Sequence, residues 1–157
     1  MQGTYEFMSD QLLRAMGRGV SYLQSPVDDL FSFYFTMQWA AAFNNQEFTV
    51  KAIPLDLDWV RKDLSRRRIL ATHEIIHSAK LKGDRYGHFL VSCQPFLRSW
   101  HSSLLDLEAE FQECHSQLQE PKLESEGDAY TALFSVFAVK GVAQLAELVR
   151  IHIQNMS

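Results

Sequence analysis

Two stretches of this chain are apolar on nearly every side of a helix, and the rest alternate between polar punctuation and one-sided stripes. The first apolar stretch opens at Ser25-Pro26-Val27-Asp28-Asp29. A Ser cap, a Pro in the first turn and acids facing the positive end of the helix dipole predict a helix start. It runs to about Phe43 and stops at Asn44-Asn45, carrying Phe31, Phe33, Tyr34, Phe35, Met37 and Trp39. The second runs from about Asp128, read as its cap, to about Asn155, with a narrow polar stripe through Lys140, Gln144, Glu147 and Gln154. A helix without a polar face is central in a fold or shared with another chain.

Shorter signals fill the remainder. Tyr5 to Met16 reads as a first helix, and Glu47 to Ile53 as an extended connector before Pro54. Asp56 or Asp58 opens a long helix to about Lys82, closed by Gly83, with Leu57, Val60, Leu64, Ala71, Ile75 and Ala79 as its core stripe. Another helix begins near Arg85, is broken or kinked at Pro95 and continues to about Gln119. Within it Phe96, Leu97, Trp100, Leu104, Leu107, Phe111 and Leu118 make an apolar stripe, with Glu108, Glu110, Glu113 and His115 as a solvated face. Glu120 to Gly127 is a polar loop. The expected fold is all-α: one domain over residues 1–157, a bundle of five or six helices, two of them apolar nearly all round.

Composition agrees with a globular domain, at 46% hydrophobic and 22% charged residues. Cys93 and Cys114 are too few for a disulfide framework, which favours a reducing, cytoplasmic setting. The N-terminal MQGTYEFMSDQ has no basic or apolar region of a signal peptide. The longest strongly apolar stretch, Ala129 to Val139, ends at Lys140 and is too short to span a bilayer, so no membrane role is expected. The net charge of −4 is split unevenly, with basic residues concentrated in Arg61 to Arg85 and acids in Asp106 to Asp128.

One segment carries a recognisable chemical pattern. His73-Glu74-Ile75-Ile76-His77 resembles the H-E-x-x-H of zincin metallopeptidases. That resemblance implies a zinc ion held by His73 and His77, with Glu74 as general base, in a small metallohydrolase. The positions where a longer zincin pattern would supply more hold Lys80 and Gly83 instead. His88, His101, Glu108, Glu110 and Glu113 are the other available donors. On the predicted helix the two imidazoles lie opposite the core stripe, beside Lys62, Arg66 and Lys80, and cations there oppose a metal. The same residues, flanked by Arg67 and Arg68, form a basic stripe about 27 Å long, suited to an acidic partner or nucleic acid. The Arg66 to His73 spacing is also similar to the R-x4-6-H motif of HEPN ribonucleases, which implies those two residues flanking a scissile phosphate. Arg98-Ser99-Trp100-His101 puts Trp100 in the core.

No P-loop, dinucleotide fingerprint, nucleophile elbow or carboxylate pair in an apolar context stands out. The leading expectation is therefore a non-catalytic helical interaction or assembly module, without a cofactor. An apolar helix face would take a protein partner or a second copy. The basic face of Lys62, Arg66, Arg67, His73, His77 and Lys80 would take an acidic partner or nucleic acid. The zinc hydrolase and the ribonuclease are its alternatives.

Overall fold

The structure, a computed structural model, describes residues 7–42, 72–81, 88–118 and 126–156. Every regular element among them is helical, so the fold is all-α. The elements are α1 (Asp10–Arg18), α2 (Pro26–Ala42), a helical segment at 72–77, α3 (His88–Leu118) and α4 (Glu126–Met156). The expected connector at Glu47 to Ile53 and the first part of the long helix, with Lys62, Arg66, Arg67 and Arg68, lie outside the described residues.

Capping sets the N-terminal boundaries. α1 starts at Asp10, later than the Tyr5 expected, because Ser9 caps it by accepting from the Leu12 amide at 3.1 Å. It ends at Gly19, whose φ of 64° is the left-handed conformation glycine adopts without strain. The Gly19 and Val20 amides return to the Met16 and Ala15 carbonyls, satisfying the last turn. α2 begins where the sequence places it. Ser25 and Asp28 form a reciprocal cap: the Asp28 amide donates to Ser25 Oγ at 3.2 Å, and Asp28 Oδ2 accepts from the Ser25 amide at 2.7 Å.

α2, α3 and α4 pack on one another around a shared core. α2 contributes Val27, Leu30, Phe31, Tyr34 and Phe35; α3 contributes Leu97, Trp100, Leu104, Leu107 and Phe111; α4 contributes Phe137. The α3 stripe read from the sequence is thus the buried one through Phe111. Phe111 packs edge-on to Phe137, and Trp100 edge-on to Tyr34, the favoured arrangement for ring quadrupoles. α4 comes close to α2 at Gly141, where an added Cβ would lie 2.1 Å from Leu30 Cδ1.

Three sequence expectations are corrected. Pro95 does not break α3, which is one helix of 31 residues through it. Pro95 is exposed while Leu90, Gln94, Phe96 and Leu97 around it are buried, so packing of its neighbours offsets the missing hydrogen bond and the helix continues. Asp128 does not cap α4, which starts at Glu126; Asp128 lies inside the first turn, still at the positive end of the dipole. The helix carrying His73 and His77 stops at His77 rather than Lys82. Its last carbonyls turn to α3: Gln94 Nε2 donates to the Ile75 and Ser78 carbonyls at 3.1 and 2.9 Å, and Arg98 also donates to Ser78 O. Gln94 Oε1 accepts from the Leu81 amide at 2.9 Å. This side-chain cap lets the chain leave the helix and bury Leu81. Ala79, expected in the core stripe, is exposed as a result, while Ile75 is buried.

Candidate functional site

Asp28 anchors one end of the molecule. Only 2% exposed, it accepts hydrogen bonds from Ser25, from Tyr22 Oη at 3.0 Å and from Ser9 Oγ, so one carboxylate ties the α1 cap, the connection and the α2 cap together. A buried carboxylate is tolerated when its lone pairs are filled in this way. The Tyr22 hydroxyl is pushed up from its ordinary pKa by burial and by the adjacent Asp28 charge.

Beside this anchor lies a cleft of about 370 Å³, formed where α1, α2, α3 and the 72–77 segment meet. Each helical element gives the cleft residues from one face, because positions four apart lie side by side. α2 supplies Phe31 and Phe35, and the 72–77 segment supplies Thr72, His73 and Ile76. α1 supplies Asp10, Gln11 and Arg14, and α3 supplies His101, Leu105 and Glu108. His101 rests against Tyr34 and Phe31, with centroids 5.3 and 6.3 Å away.

The two titratable groups of α3 in this cleft are shifted in the direction of their neutral forms. Burial pulls the His101 imidazole below its ordinary value; the Asp10 charge opposes that shift and His77 adds to it. Burial pushes the Glu108 carboxyl up, helped by the Asp28 and Asp10 charges and opposed by Arg14 and a hydrogen bond from Gln11. Glu108 is therefore not part of a solvated face, as the sequence pattern suggested; that description fits Glu110 and Glu113, which are exposed. Asp28 and Glu108 are carboxylates in a partly apolar setting that residue order did not reveal. Seven positions apart, His101 and Glu108 are about 10 Å apart along α3. They can orient two ends of one ligand but cannot exchange a proton directly.

His73 and His77 are both exposed and share a face, their rings 4.4 Å apart. Among the described residues, no three His, Cys, Asp or Glu side chains are grouped so as to hold a metal ion. Among the described residues the two imidazoles have no third donor grouped with them, which is fewer than the ligand set of a catalytic zinc centre. The cleft does bring His73 and His101 to one place, which the sequence spacing could not show. Lys80 is exposed but lies beyond the helix end, so it does not continue a straight basic stripe with His73 and His77. Cys93 and Cys114 are half-buried and form no disulfide; 21 positions apart on one helix, they cannot reach each other.

α4 is the other unusual surface. Of the two apolar helices, α2 is largely covered, although Phe33 and Trp39 remain exposed. α4 turns Phe137 and Gly141 inward and leaves the opposite side open. Val139 is 70% exposed, Val142 59% and Ile153 60%. Lys140 is paired with Glu110, and Arg150 donates to Glu147 and Gln154, which tethers these charges. The apolar run does not end at Lys140. Gly127–Gln154 is long and apolar enough to cross a membrane by length and composition, with 11% of its most apolar window buried. The apolar length is therefore greater than the stretch from Ala129 to Val139 read from the sequence, since apolar residues resume from Gly141 onward.

No family model matches the chain, no curated protein matches it and no solved structure matches it.

Proposed function

We propose that this protein is a non-catalytic helical assembly module that pairs with a second copy of itself through the outer face of α4. The observation carrying this reading is the run of exposed positions Ala132, Ser135, Val139, Val142, Ala146, Val149 and Ile153. They recur at alternating spacings of three and four, the repeat by which two helices interlock side chains. Every one is small or apolar, and the run covers about 32 Å of helix. A two-fold pair brings the same pattern to both sides, so a second copy carries the matching surface without further requirement. Exposed apolar area is unfavourable by about 25 cal/mol per Å², which drives such pairing.

Light scattering coupled to size-exclusion chromatography tests it. At tens of micromolar the expected mass is twice the 18.1 kDa of the chain, insensitive to salt. Val139→Glu and Val142→Glu, both on the exposed side, should return it to the mass of one chain with helix content intact. A wild-type chain already of single mass, at all concentrations tried, refutes the pairing.

A second reading is favoured by the length of α4: the same face could rest on a lipid surface. α3 carries Glu108, Glu110, Glu113 and Arg98 and packs against α4, which opposes full insertion in this packing. Flotation with phosphatidylcholine vesicles separates the readings, since pairing predicts no association. The basic face running from Lys62 to Lys80 does not enter the proposal, because Lys80 lies off the helix and Lys62, Arg66 and Arg67 lie outside the described residues.

A further inference from the structure

We infer that two copies of the chain pair with their α4 helices antiparallel, the two-fold axis passing between Val139 and Val142; the orientation rests on the pairing proposed above. Val139 and Val142 stand at the middle of the exposed run from Ala132 to Val149. An antiparallel pair about that point sets Val139 against the partner's Val142, Ser135 against the partner's Ala146 and Ala132 against the partner's Val149. Two-fold symmetry repeats each contact, so every position of the run from Ala132 to Val149 is matched.

Charge decides the direction. Asp128 is exposed and continues the same spacing one step toward the N-terminus. A parallel pair brings Asp128 directly opposite the partner's Asp128, and like charges facing each other across an interface are destabilising. The antiparallel pair separates those two carboxylates by about 38 Å along the axis. It brings Asp128 instead to within about 4.5 Å, along the axis, of the level of the partner's Arg150. Arg150 is exposed and donates from Nε, Nη1 and Nη2 to Glu147 and Gln154, which uses three of its five donors. The other two are free to meet a carboxylate from the second copy.

Size and dipole act in the same direction. In a parallel pair each residue meets its own copy, so Ala132, Ser135 and Ala146 all form thin layers beside valine layers that hold the axes apart. The antiparallel pair fills the Ala132 layer with the partner's Val149. It also lays opposite ends of the two helix dipoles side by side.

Three measurements on the full chain test the orientation. In a background of Cys93→Ala and Cys114→Ala, a nitroxide is attached at Gly127→Cys, an exposed site where an added Cβ meets nothing within 4 Å. Pulsed electron spin resonance should give about 40 Å between the labels of a pair, whereas parallel helices would give about 10–20 Å. In the same background, chains with Ser135→Cys and chains with Ala146→Cys, mixed in a glutathione buffer, should form the mixed cross-linked dimer in about tenfold excess over either homodimer. Asp128→Asn needs no cysteine replacement: it should raise the Kd of pairing about twofold to fivefold, where parallel helices would pair more tightly. A dimer with labels closer than about 25 Å, with homodimers dominant, or with a Kd lowered or unchanged by Asp128→Asn overturns the antiparallel orientation and leaves the pairing intact. A chain of single mass overturns the pairing itself.

Discussion

Gly141 is the position at which a single methyl group tests how α4 is seated. An alanine Cβ would lie 2.1 Å from Leu30 Cδ1 and 3.1 Å from Leu107 Cδ2. Carbon atoms in contact sit about 3.5–4.0 Å apart, so Leu30 would have to retreat by well over an ångström. Leu30 is 4% exposed and Leu107 1%, so neither moves into free space. Overpacking of this kind costs about 1–3 kcal/mol. Replacing a mid-helix glycine by alanine returns about 1 kcal/mol of helix propensity. The net expectation for Gly141→Ala is a loss of about 1 kcal/mol, or about 2–4 °C in Tm for a chain of this size. Gly17→Ala is the control: it lies in α1 with nothing within 4 Å of the added atom, and should be neutral to stabilising by up to about 1 kcal/mol. Urea titrations with a common slope measure both. Leu30→Ala alone should cost about 2–5 kcal/mol, but less when added to Gly141→Ala, because the smaller side chain makes the room the new methyl needs. If Gly141→Ala stabilises as Gly17→Ala does, and the Leu30 effect is the same in both backgrounds, α4 is not seated by this contact.

The cap on the 72–77 segment predicts that Gln94→Leu strands the Leu81 amide and leaves the Ile75 and Ser78 carbonyls to Arg98 alone. A loss of about 2–3 kcal/mol should appear with faster amide exchange over Thr72 to Leu81. Glu108 binds its proton more tightly in the folded chain, so its ionisation opposes folding above the folded pKa, and the penalty is absent below the unfolded pKa. Glu108→Gln should therefore be more stable than wild type at neutral pH, with the advantage fading in denaturant titrations at about pH 4. His101 has the opposite sign. Its depressed value means that stability is lost as pH falls through the unfolded imidazole pKa, so His101→Gln should flatten the decline between about pH 7 and 5. Gly19→Ala, forced to a φ of 64°, should lower stability by about 1–2 kcal/mol in the same assay.

Much of the fold was legible because the signals that specify it are local. Ser25, Pro26 and Asp28 mark a helix start by chemistry that acts within four residues, and the structure uses it there. The α3 stripe from Phe96 to Phe111 repeats at helical spacing, and that spacing alone decides which side is buried. The cleft was not legible in this way. His101 and Glu108 fall on a face that reads as solvated until α1 and the 72–77 segment are laid against it. Glu108 gains its perturbed carboxyl from burial, helped by the charges of Asp28 and Asp10, which are far away along the chain.

The termination of the His73–His77 helix shows the same division. Residue order extends it to Gly83, because nothing near Ser78 forbids another turn. Gln94 and Arg98, one or two dozen positions later, take its carbonyls and end it. What the sequence determined by itself was helix type, the starts that carry their own caps, and the presence of two helices with more apolar surface than one bundle face needs. Tertiary structure decided which of the two was covered: α2, whose rings fill the space against α3, while α4 keeps one side open. The physical reason is that a hydrogen bond within a turn is written in neighbouring residues, whereas burial depends on which distant surface arrives to exclude water.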